Sequence, residues 1–404
     1  MSGLIKNEFI KLFSRKKTYI IILLFVALSA MFIFIKESEE KNFLQYSNPE
    51  FQLQQGKESL AYYEQNLIEI RNNTELTEAQ KTIRLEEMES SLAEQKSYVA
   101  QLEEAVANQK DFDWRIDVRN QIRSMENMRD MENQDTSSKA YFSTEISRLQ
   151  AYLDHDIDPR ETSMNNGFQY LLFNLAFLAS GFLAFGVVLF NADAVSGEYN
   201  PGTMKFLLIQ PVTRIKVLLS KFIVMAVSSV ALILGTQVLM TAVVGLWKGM
   251  GNPNIPMAYG QRFKIIMERG QEALQEIPNT LTYIPISDYL FKALLLQALF
   301  IVTTLAFVFM VSTISKSSVI SMTIGIGTVL GSTLLFAISG TLKKVGHLFF
   351  INYSNVEGIL SGSSIREFMN PNFTLQNAVI VLTASTIAFL LISLTVFKKR
   401  DVLI

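Results

Sequence analysis

The 404-residue chain contains no cysteine and only two histidines. Disulfides, thiolate metal sites and cysteine nucleophiles are therefore excluded. His155 and His347 are far apart and lack ligand spacing, so no metal site is expected. There is no G-x-x-x-x-G-K-[ST] phosphate loop, since Gly56-Lys57 has no upstream glycine at the needed spacing. A concentrated basic domain is also missing, which argues against nucleic acid as a partner. The net charge of −1 hides a strong segregation: long stretches are almost uncharged, and the charge sits in a few blocks. Ionisable residues at the middle of those apolar stretches are nearly absent. Secondary transporters and proton pumps usually carry such groups, so energy for any transport has to enter from elsewhere.

What the chain has instead is apolar length, with 49% hydrophobic residues. Runs of about 18 residues or more can cross a bilayer as helices. Six are read here: 18–35, 168–190, 218–246, 289–314, 319–338 and 378–397. The expected fold is all-α, a polytopic membrane protein with six transmembrane helices. Residues 1–17 form a basic amphipathic segment with Ile5, Phe9, Leu12 and Phe13 on one face, which suits a helix lying in the membrane interface. Residues 18–35 are too long and too continuous for a signal peptide and read as the first span.

Residues 36–165 differ in kind. They are polar and rich in Glu and Gln, with glycine and proline scarce. Leu85, Met88, Leu92, Val99, Leu102 and Val106 step by three and four, with Gln95 at the missing position. Leu60, Tyr63, Leu67 and Ile70 begin a similar register, and Phe142, Ile146, Leu149 and Leu153 give another stripe. Apolar residues at 3.5-residue spacing form a seam that packs on a partner helix. Both ends of the block run into spans, so an extracellular antiparallel coiled-coil stalk between helices 1 and 2 is the simplest closure; a solvated spacer is the alternative. Residues 166–404 hold spans two to six, with a cytoplasmic loop 193–221 and outer loops 247–288 and 340–377. An amphipathic helix is expected over 263–274, and 340–377 reads as either a re-entrant segment or a surface loop.

Lysine and arginine in short loops set orientation. Lys6, Lys11, Arg15, Lys16 and Lys17 precede span one; Lys205, Arg214, Lys216 and Lys221 fill the central loop; Lys316 and Lys398–Arg400 follow spans four and six. Six spans place all of these, and both termini, in the cytoplasm. Lys248, Arg262, Lys264, Arg269, Lys343, Lys344 and Arg366 on the other side dilute the signal. Within the spans, Asn174, Gln237, Gln297 and Thr303 are buried polar groups that either tie helices together or line a path. Gly325, Gly327 and Gly331 lie inside a span and suit close helix packing.

The central loop is longer than a turn needs. It reads E-x-x-x-G-T-x-x-x-L-L-x-x-P-V-x-R, here Glu198, Gly202, Thr203, Leu207, Leu208, Pro211, Val212 and Arg214, followed by Lys221. Pro201-Gly202 makes a turn, Thr203 is placed to cap a short amphipathic helix, and Pro211 stops it. Together with the basic N-terminal helix, the insert after span one and the Phe397–Asp401 tail, this resembles the membrane subunit of ABC-2 type transporters in a Gram-positive style. The resemblance covers all six spans but not the stalk. It implies a multi-pass permease in a bacterial plasma membrane that dimerises with a second copy or a homologous permease. It also implies separate ABC ATPase subunits, with ATP and Mg bound there and no cofactor or catalytic residue in this chain. Glu198, Gly202, Thr203, Leu207, Leu208, Pro211 and Arg214 then belong to the ATPase-coupling region. The exported cargo stays open among a peptide, an antibiotic or another amphipathic compound, and the stalk could meet that cargo or an extracellular partner. Two other readings stand beside it: a membrane-anchored coiled-coil scaffold for an envelope partner, and a secondary transporter.

Overall fold

The computed structural model describes residues 1–72, 77–107, 113–131, 135–179, 181–199, 212–268 and 270–399. The chain divides into two compact units, one of Met1–Phe34 with Ile122–Ile404 and one of Ile35–Gln121. In chain order the principal helices are α1 (Ser2–Phe13), α2 (Lys16–Ser47), α3 (Pro49–Asn72), α4 (Glu78–Ala107), α5 (Trp114–Asp130), α6 (Thr136–Asp154), α7 (Gly167–Ala179), α8 (Phe182–Asn191), α9 (Arg214–Lys248), α10 (Ile286–Ile314), α11 (Ser318–Ile338) and α12 (Leu375–Lys399). The protein is mostly helical. Among the described residues α2, α9, α10, α11 and α12 are long and apolar enough to cross a bilayer. The bent pair α7–α8 makes a sixth crossing if it counts as one span.

The smaller unit is built on α3 and α4. Lys57 pairs with Glu103, Glu64 with Lys96, and Arg71 with Glu89, so one helix index rises as the other falls and the pair is antiparallel. Leu67, Val99 and Leu102 are buried between them, while Leu85, Met88, Leu92 and Val106 are half-buried. Gly56 lets the helices approach: a Cβ there would lie 3.1 Å from Val99 Cγ2, and Gln95 Nε2 donates to the Gly56 carbonyl at 3.1 Å. The exposed ion pairs add little, since such pairs contribute about 0–1 kcal/mol each; the buried seam holds the pair.

In the larger unit the core runs through α7, α8, α9 and α10, with Tyr170, Leu183, Phe300, Leu305 and Phe309 almost fully enclosed. The apolar run 168–190 does not form one straight helix. It bends by 72° between α7 and α8, where Gly181 takes φ +100, a conformation that suits glycine. Gly325 brings α11 onto α8, since a Cβ there would lie 2.7 Å from Val188 Cγ1; Gly327 and Gly331 face open space.

The helix expected over 263–274 is not formed. Strands β2 (Phe263–Glu268) and β3 (Gln271–Glu276) pair antiparallel there. They continue outward from a second pair, β1 (Pro256–Tyr259) with β4 (Thr282–Pro285). Gly270, at φ +81, supplies the tight turn of a two-residue hairpin and would weaken a helix by about 1 kcal/mol. The inward residues Phe263 and Leu274 are buried. Helix α6 packs on this insert through Gln261 Nε2, which donates to Thr144 Oγ1 at 2.8 Å, and through the Thr136 amide, which donates to Glu268 at 3.1 Å. The stripe Phe142, Ile146, Leu149 and Leu153 lies on this helix. Among the described residues the insert is thus the β exception in a mostly helical protein.

Candidate functional site

Helix α1 packs its Ile5, Phe9 and Leu12 side against the protein core, while Phe13 turns outward. That orientation also buries an acid, Glu8, on the same side. After α8 the chain makes a tight turn in which Ser312 Oγ of α10 accepts from the amides of Val195 and Ser196 at 3.1 and 3.0 Å. The turn delivers Glu198 to Glu8. Between them stands Lys221, on the second turn of α9. Its Nζ lies 2.6 Å from Glu198 Oε1 and 2.7 Å from Glu8 Oε2. Glu198, Lys221 and Glu8 are 2%, 3% and 5% exposed, so all three charges sit out of water. Lys11 closes the set at 3.5 Å from both acids, and the four charges sum to zero. Burying ions costs several kcal/mol each unless partners offset it, so this neutral arrangement is what permits the burial. A second tie lies beside it: Lys17 Nζ is 2.7 Å from Asp193 Oδ1, with Arg15 at 3.6 Å from the other oxygen.

The expected coupling residues divide in two. Glu198 and Arg214 are described; Gly202, Thr203, Leu207, Leu208 and Pro211 lie outside the described residues. Arg214 is half-buried at the first position of α9. Glu198 faces the interior rather than an open surface. Glu8 was not among the residues singled out by sequence; its only signal is a lone acid on the inner edge of an otherwise basic helix. Its partner Lys221 stands 213 positions away.

The four polar residues of the spans are all buried. Gln237 Nε2 donates to Asn174 Oδ1 at 3.0 Å, and Tyr170 Oη donates to the Ser29 carbonyl at 2.8 Å with Asn174 at 3.5 Å. This chain links α9, α7 and α2. Thr303 meets the Leu382 carbonyl at 3.1 Å and Thr386 Oγ1 at 2.9 Å, joining α10 to α12. Gln297 is enclosed in α10 without a hydrogen-bond partner for Oε1 among the described residues.

Among the described residues, five helices long and apolar enough to cross a bilayer, or six with the bent pair, define a multi-pass integral membrane protein. The profile of the family described as ABC-2 family transporter protein matches residues 3–402, and the chain belongs to that family. It is therefore a permease subunit, of a kind that associates with ABC ATPase subunits and the membrane. A comparison with curated proteins finds no match.

Proposed function

We propose that this chain is the membrane half of an ATP-driven exporter and that residues 200–211 receive the push of the ATPase subunits. The observation that carries this reading is the ion pair Glu198–Lys221 at 2.6 Å. Glu198 stands just before that stretch and Lys221 on the helix just after it, so both ends of the stretch are fastened to one buried point. Glu8 ties α1 to the same point. A displacement of the stretch would then move α8, α9 and α1 together instead of being lost in slack. In this reading Gly202, Thr203, Leu207, Leu208, Pro211 and Arg214 form or flank the ATPase contact. Both termini are cytoplasmic, residues 36–165 are extracellular, and the permease works as a dimer. Asn174, Gln237, Gln297 and Thr303 lie along the path of a peptide, antibiotic or other amphipathic cargo.

The test is co-purification of the ATPase subunit and its hydrolysis in nanodiscs. Leu207→Asp with Arg214→Ala is expected to lower ATPase retention while the permease stays folded. Glu198→Gln, which keeps shape but removes the charge, is expected to retain the ATPase and lose the coupling of hydrolysis to transport. Normal retention and normal coupled transport in all three substitutions combined would overturn the proposal.

A further inference from the structure

A cavity of about 530 Å³ opens where the β insert, the Val356–Ser361 helix and the first turns of α12 meet. It lies on the face opposite the charged knot, because α9 leads away from Lys221 to the insert. Its floor is apolar: Ile359, Leu360 and Phe373 are almost fully buried. Backbone fixes its shape. The Gly260 amide donates to the Leu360 carbonyl at 2.8 Å, and a Cβ on Gly362 would collide with the Gln261 carbonyl oxygen.

One side of the cavity is formed by Val379 and Ile380, both exposed. Ile380, Ile387 and Leu391 follow one another at spacings that keep them on a single face of α12, and all three are exposed. An apolar chain leaving the cavity would therefore run down this stripe. The rim is polar and carries a cation, Arg262. Its backbone is clamped, with its amide donating to Thr280 Oγ1 at 3.0 Å and its carbonyl accepting from the Ile277 amide at 2.9 Å. Its side chain is exposed and forms no ion pair with any described carboxylate. Behind the wall residue Tyr259, Lys292 Nζ lies 5.8 Å from the ring centroid, outside the cavity lining. A cation at the rim, an apolar floor and an apolar exit along a span match a ligand with an anionic head and a long hydrocarbon tail. A soluble anion would use the rim alone and leave the floor and stripe unexplained.

We propose that this cavity binds an anionic phospholipid, its phosphate at Arg262 and an acyl chain along Ile380, Ile387 and Leu391. Arginine holds phosphate through charge-assisted, often bidentate hydrogen bonds, and basic pockets beside spans take lipid headgroups. The site is independent of the coupling reading above.

The experiment is native mass spectrometry of the full chain released from nanodiscs of equimolar phosphatidylglycerol and phosphatidylcholine. Wild type is expected to retain phosphatidylglycerol in clear preference. Arg262→Ala should lower that retention roughly tenfold, the scale of one lost charge-assisted hydrogen bond. Val379→Trp, which blocks the exit and leaves Arg262 in place, should lower it as well. Both residues are exposed, so folding is preserved, and Lys344→Ala, whose partner is Glu272 outside the cavity, should change nothing. Equal retention of the two lipids by wild type, or retention unchanged in Arg262→Ala, overturns the proposal. So does displacement by inorganic phosphate together with indifference to Val379→Trp, which would make this a free-phosphate site.

Discussion

Glu357 shows how a single buried group sets a pH dependence. It sits on the first turn of the short Val356–Ser361 helix, where Asn355 Oδ1 caps the Gly358 amide at 2.9 Å. Tyr289 Oη donates to its backbone carbonyl at 3.0 Å, not to its carboxyl. The residue is half-buried, but its carboxyl oxygen Oε1 is enclosed without a hydrogen-bond partner among the described residues. Burial therefore penalises the charged form and raises the pKa from the ordinary 4.5 to about 7. The folded state then holds a proton that the unfolded state has released between those two values. Stability from this group is fully present below pH 4.5 and is lost as pH rises through about 7. Glu357→Gln should remove that dependence, matching wild type near pH 5 and melting higher near pH 8, by roughly 2 kcal/mol after allowing for partial exposure. Parallel melting curves for the two proteins across this range would show that Glu357 is not the titrating group. In the knot of Glu8, Lys11, Glu198 and Lys221 the charges are matched, and losing Lys221 alone would leave two buried acids to share Lys11, at a cost of about 3–5 kcal/mol.

Among elements, the helices with long, regular apolar patterns were legible in the sequence, and the short ones near glycine were not. In α4 the residues stepping by three and four, Leu85 to Val106, are half-buried or buried, a repeat at one spacing that a sequence displays. The 263–276 hairpin was missed for a physical reason. Phe263, Ile266, Met267 and Leu274 satisfy a helical stripe, yet the same segment alternates well enough for a strand, and only Gly270 separates the two readings. The break in 168–190 was hidden likewise, since hydropathy reports length and not direction. For the α3–α4 pair a core test is available. Leu102 is 1% exposed, so Leu102→Ala should cost about 2–5 kcal/mol, whereas Leu102→Met should cost less than about 1.5 kcal/mol. Limited proteolysis of the full-length protein reads the difference: faster cleavage within 77–107 is expected for the alanine variant only. Equal cleavage of wild type and Leu102→Ala would mean that the seam does not hold the pair.

At the scale of the whole molecule, the segregation of charge was plain in the sequence, and Glu198 could be singled out from its place in the central loop. Its partnership with Glu8 and Lys221 could not, because it exists only once three distant segments meet. The larger unit also fixes which loops share a face. Ser312 bonds to the turn at Ser196, and a Cβ on Gly197 would lie 3.6 Å from Ser318 Oγ, so the 315–317 turn lies beside the charged knot. Helix α9 leads away from that face to the insert, and the Gly260–Leu360 hydrogen bond at 2.8 Å places 339–374 with the insert. In the proposed topology the knot face, with Lys6, Arg15, Lys17, Lys216 and Lys316, is the cytoplasmic one, as lysines and arginines in short loops favour. The absence of cysteine makes this directly testable, since any introduced thiol is the only one in the chain. Lys316→Cys, Asn254→Cys and Ser97→Cys each replace an exposed residue. In intact cells a membrane-impermeant maleimide should label Asn254→Cys and Ser97→Cys, and should reach Lys316→Cys only after permeabilisation. Labelling of Lys316→Cys in intact cells would invert the protein in the membrane. Labelling of Asn254→Cys without Ser97→Cys would leave the insert outside and put the α3–α4 pair on the cytoplasmic side, which requires an odd number of crossings between them.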